Sequence, residues 1–139
     1  MVRSREIRTE NTVFKLHENG IIESVLINQD LQKYELDEVK EFVSAMKELC
    51  MDEAYPIVSI LGDAHIPDEG RKYILDHIYV GMAALVGSTF IARMVGNLLI
   101  NFKPLPIPVK MFSNREAAYE WIEETQAKLR AKEGLSKQA

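Results

Sequence analysis

Residues 81–102 carry a single charge, Arg93, in a run otherwise apolar or uncharged and long enough to cross a bilayer, so the fold must find a place to bury it. A membrane span is the first candidate. Against it, Arg93 sits at the middle, where insertion costs about 2.5–3.5 kcal/mol, and Gly81, Gly87, Gly96, Ser88, Thr89, Asn97 and Asn101 interrupt the run. A buried strand over residues 83–87 followed by a helix capped by Ser88 or Thr89 and reaching about residue 102 accounts for the pattern better. On such a helix Thr89, Arg93, Asn97 and Asn101 recur at steps of four and form one narrow polar stripe, with apolar side chains around the rest. A helix that is apolar nearly all round is normally buried, and one sheet covers only part of it. Phe90, Met94, Leu98 and Phe102 are therefore the candidate interface or apolar-ligand surface. Three covers are open: the proline-rich connection 103–108 with the last helix, a second copy of the chain, or an apolar ligand.

The remaining sequence has the form of one domain. A chain of 139 residues buries roughly two-thirds of its unfolded surface, and 47% hydrophobic with 27% charged residues is globular composition. The formal net charge of −4 gives no basic field for a phosphate backbone, so no nucleic-acid partner is expected. Cys50 is the one cysteine; it lies in a helical pattern, and no intramolecular disulfide or cysteine metal cluster follows from it. Residues 1–10 mix Arg3, Arg5 and Arg8 with acids and lack the apolar core of a secretion signal, which makes a cytoplasmic location the expectation.

Periodicity orders the elements. Two β-rich runs, 12–18 and 21–27, flank Asn19-Gly20, a strong hairpin signal. Val39, Val43, Met46 and Cys50, widened by Phe42 and Leu49, form the inner stripe of a helix from Leu36, with Asp37 and Glu38 suited to its first turn. Residues 55–62 are nearly continuously apolar, as in a strand covered on both faces. Pro67, Asp68 and Glu69 open a second helix carrying Tyr73, Ile74 and Ile78, and Gly81 punctuates its end. Residues 109–112 are a short strand, and Ser113 to Glu116 has the spacing of a capping box for a last helix that buries Ala117, Ala118, Trp121 and Ile122. The expected fold class is α/β, a single sheet in the order β-β-α-β-α-β-α-β-α, with an antiparallel hairpin followed by parallel strands. The expected organisation is a flexible start (1–10), one domain (11–131) and a flexible end (132–139).

The strand 57–61 ending in Gly62-Asp63, the segment Ile66-Pro67-Asp68-Glu69-Gly70 entering a helix, and Val109-Lys110-Met111-Phe112-Ser113-Asn114-Arg115-Glu116-Ala117 with Trp121 together resemble the bacterial SpoIIAA-like, STAS-related proteins over about residues 11–124. The ordered set, not any single motif, carries the likeness. The resemblance implies a noncatalytic regulatory or protein-interaction module with a regulatory protein partner. In the anti-anti-sigma members a serine at the start of the second helix is phosphorylated; here Asp68 and Glu69 stand at the matching places and Gly70 is retained. Permanent carboxylates there either imitate the phosphorylated state or complement the helix dipole. The superfamily also includes proteins grouped with lipid-carrying Sec14-like domains, which implies an apolar small molecule or lipid as the alternative ligand.

Asp63, His65, Asp68, Glu69 and Arg71 cluster at the carboxyl end of the central strand, where open α/β sheets place ligands, and form the candidate switch or ligand loop. A third reading makes this loop an enzyme site, with His65 as a base oriented by Asp63. No serine or cysteine nucleophile lies nearby in sequence, and the spacing matches no metal pattern, so no catalytic residue, metal ligand or cofactor is assigned. His17 and His77 have no evident sequence partner. The expected assembly is a homodimer.

Overall fold

Asn19-Gly20 turns the chain as a hairpin demands: Gly20 takes φ of 81°, a left-handed conformation open to glycine, and the flanking His17 N–H donates to the Ile21 carbonyl at 3.0 Å. The turn lies in a computed structural model that describes residues 2–28, 30–51, 53–60, 65–77, 80–87 and 107–138. Its six strands are β1 (Arg5–Arg8), β2 (Thr12–Leu16), β3 (Ile22–Leu26), β4 (Ile57–Ile60), β5 (Ala83–Val86) and β6 (Val109–Phe112). They form one sheet in chain order, antiparallel from β1 to β3 and parallel from β3 to β6. The described helices are α1 (Leu36–Leu49), α2 (Asp68–His77) and α3 (Arg115–Gln138). The α/β class, the single sheet and the change from antiparallel to parallel pairing are as the periodicity predicts.

Register explains which side chains meet. Leu16, Ile22, Ile57, Ala83 and Val109 are successive partners across five strands, and the period of two puts them on one face with Phe14. There α1 lays down Ala45, Met46 and Leu49, and these residues form one buried cluster with Phe14, Leu16, Ile22, Ile57 and Ala83. Val58, Ala84 and Val86 face the other way and pack with Ala118 and Ile122 of α3. β4 is thus apolar on both sides because helices cover both sides, and each such side chain contributes about 1.5–3 kcal/mol on burial.

Three details differ from the sequence reading. The start, expected to be flexible, holds β1: Arg8 pairs with Val13 and Arg5 with Leu16, Ile7 packs against the core, and the Arg5 guanidinium donates to the Leu49 carbonyl at 3.1 Å. A charged strand of this kind is tolerated because it lies at the sheet edge. α3 continues to Gln138 instead of fraying near Ala131. Its cap is Asn114, whose Oδ1 accepts the Ala117 N–H at 2.8 Å, one residue beyond the expected Ser113. No helix among the described residues is long and apolar enough to cross a membrane. The helix expected over 88–102 lies outside the described residues.

Candidate functional site

The loop at the carboxyl end of β4 is only partly described. Asp63 lies outside the described residues; His65 is exposed, and its backbone is tied down, donating to the Gln32 carbonyl at 2.9 Å and accepting from Tyr34 N–H at 2.8 Å. Asp68 forms an ion pair with Arg71 one turn along α2; the Asp68 side chain is 89% exposed and that of Arg71 is 18% exposed. An i,i+3 pair of this kind adds about 0.2–0.5 kcal/mol to the helix, and Arg71 offsets part of the charge that Asp68 brings to the helix start. Gly70 has a steric reason to be there: a Cβ would meet Val39 Cγ2 at 3.0 Å and Ile66 Cγ2 at 3.2 Å, so the glycine sets how closely α2 approaches α1. The structure brings Asp68 and Arg71 together and leaves Glu69 exposed. Phe90, Met94, Leu98 and Phe102 all lie outside the described residues.

A cavity does exist one layer inward, between the α1–α2 pair and the sheet. Its volume is about 110 Å³. The floor is Ser24, Ile57, Ser59, Ala83, Leu85 and Val109, and the roof is Val39, Val43 and Met46 of α1 with Ile74 and Leu75 of α2. Ser24 and Ser59 are register partners on β3 and β4, only 2% and 3% exposed, and their hydroxyls hydrogen-bond to each other at 2.7 Å. The floor is therefore satisfied internally and asks little of an occupant. Tyr34 and His77 supply polar groups to the wall. Burial, then the Glu38 charge, pushes the Tyr34 phenol up to about 12, so it is neutral at any physiological pH. His77, without an evident partner in the sequence, donates from Nδ1 to the Tyr73 carbonyl at 2.9 Å and stacks on the Tyr73 ring at 4.1 Å.

On the opposite face the sheet carries a polar cluster that sequence reasoning missed. Glu23, 7% exposed, receives hydrogen bonds on Oε2 from Arg115 Nη2 at 2.6 Å and from the Tyr119 hydroxyl, with His17 Nε2 at 3.9 Å. Residues 92 and 96 positions apart leave no local pattern to find. The one available signal is the alternation of β3, which turns Glu23 away from Ile22 and Ser24 toward the face that α3 covers. Burial, followed by the bond to and charge of Glu23, raises the Tyr119 phenol to about 12. A folded pKa above the unfolded value near 10 means that the phenol's contribution is fully present below pH 10 and is lost as pH climbs through 12. Urea midpoints measured from pH 9 to 12 are therefore expected to fall more steeply for the wild type than for Tyr119→Phe; parallel curves would show that the phenol is not coupled to folding.

Comparison with known proteins adds a family and no activity. A family model described as a domain of unknown function (DUF7793) matches residues 14–126, from within β2 into α3. A crystal structure of a protein with unknown function from Arthrobacter sp. FB24 is 22% identical, covering 84% of this chain and 95% of that one, with a TM-score of 0.29. No curated protein matches the chain.

Proposed function

We propose, for a chain that belongs to the DUF7793 family, a noncatalytic regulatory role in which the domain senses a compact apolar molecule held between α1, α2 and the sheet. The observation that carries the proposal is the 110 Å³ cavity, because its size selects the occupant. An engineered apolar cavity of roughly 150 Å³ in another protein stays dry and takes up benzene, whereas drug-sized ligands fill roughly 300 Å³ or more. A single ring or short branched chain matches the volume bounded by the described residues. Of the apolar-ligand readings, this volume favours a sensor of a small molecule. The noncatalytic part is supported by the chemistry of the described walls: the Ser24 and Ser59 hydroxyls bond to each other, and His77 Nδ1 is engaged with the Tyr73 carbonyl. The regulatory part rests on the sheet, antiparallel over β1–β3 and parallel thereafter, together with the STAS-like segments of the sequence.

Benzene, used as the probe, tests this. At ten times its Kd it is expected to stabilise the fold by about 1.4 kcal/mol, a rise in melting temperature of about 4 °C for a chain of this size. Ala83→Leu places extra carbons in the cavity, so it is expected to fold with less than about 1 kcal/mol lost and to abolish the shift. A benzene shift that survives Ala83→Leu, or no shift in the wild type, sinks the reading.

A further inference from the structure

α3 packs against β4, β5 and β6, and on the same face its start reaches Glu23 of β3. There Ser4, Lys15, His17, Glu18, Asn19, Arg115 and Tyr119 line a cleft of about 450 Å³. It shares no residue with the apolar cavity and lies across the sheet from it. Its chemistry is donor-rich. The Arg115 side chain is 53% exposed; Nη2 is used on Glu23 and the guanidinium also lies 5.8 Å from the Tyr119 ring centroid, and its five N–H groups exceed what these partners take up. Lys15 has Glu6 and Glu23 as register neighbours and forms an ion pair with neither. Asn19 accepts the Ile21 N–H on Oδ1 at 3.0 Å, which keeps its NH₂ as a donor. On the acceptor side, Glu23 is occupied by Arg115 and Tyr119, Glu18 lies on the cleft wall, and Glu6 flanks Lys15 from β1.

We propose that this cleft binds a small oxyanion, a phosphate or carboxylate group, with Arg115 as its main donor and Lys15 and Asn19 beside it. Glu23 is the positioning residue: a buried carboxylate that anchors one edge of a guanidinium holds the planar fork ready for a second, incoming oxyanion, so less side-chain freedom is lost on binding. Glu6, Glu18 and open solvent weaken the attraction, which sets the expected affinity at about millimolar.

The test is a titration of the ¹⁵N-labelled full chain with inorganic phosphate, with acetate, and with chloride at matched ionic strength. Saturating shifts around residues 17–21 and at Arg115 are expected for phosphate, acetate or both, and whichever saturates identifies the group. Arg115→Gln is expected to weaken binding about tenfold and Lys15→Gln about threefold. Should Arg115→Gln fail to fold, Lys15→Gln carries the test, because it leaves the partners of Glu23 in place. Shifts that track chloride without saturating, or a Lys15→Gln chain that binds as the wild type does, overturn the proposal.

Discussion

Gly81→Ala is expected to destabilise the fold by about 3 kcal/mol, lowering the melting temperature by roughly 10 °C. A Cβ at this position would lie 2.3 Å from the Ala54 carbonyl oxygen, and the next contacts, 3.4 Å and 3.6 Å away, are also backbone. No side chain can rotate out of the way. Gly81 also donates to the Tyr55 carbonyl at 2.9 Å, and the next residues of both segments enter β4 and β5, so relief of the clash has to move two central strands apart. Gly134→Ala is the control: it lies in α3, and a Cβ there meets nothing within 4 Å. Relief of glycine's helix penalty stabilises that variant by up to about 1 kcal/mol. Thermal unfolding of the two variants checks the contrast, and a Gly81→Ala chain within about 0.5 kcal/mol of the wild type would contradict the close strand approach.

Glu23→Ala is expected to cost about 2–3 kcal/mol, measured by urea unfolding. Removing one partner of a fully buried ion pair costs about 3–5 kcal/mol, and the lower figure applies because the Arg115 side chain, 53% exposed, recovers water when its partner leaves. Tyr119 recovers less. Its hydroxyl loses its bond to Glu23 in a half-buried position. A double-mutant cycle with Arg115→Ala separates the clamp from simple loss of volume, with a coupling of about 1–2 kcal/mol expected. Coupling near zero would mean that Glu23 does not tie the start of α3 to β3.

These two residues also mark where the sequence ceased to be legible. The nearly continuous apolar runs of residues 55–62 and 83–87 identify β4 and β5 because burial on both faces leaves a continuous signal, and Asn19-Gly20 identifies the turn because the turn needs a left-handed residue. Gly81 is readable as punctuation, but its close approach to Ala54 depends on a contact between distant segments. Glu23 reads locally as a polar residue in a strand; only the folding of α3 back across the sheet converts it into a buried clamp. The charges of β1 hid a strand because an edge needs only one apolar contact, supplied by Ile7, to stay in place. The cavity was likewise out of reach, since it arises from small floor residues, Ser24, Ser59 and Ala83, lying beneath two helices.

That cavity is the centre of the functional account, and xenon in a pressurised crystal tests it most directly. Xenon is apolar, compact and visible by anomalous scattering, and it occupies dry cavities of about this size. A xenon atom is expected between Val43, Ile57 and Leu85, displaced in Ala83→Leu. Xenon bound elsewhere with that volume filled by the protein's own side chains would contradict it.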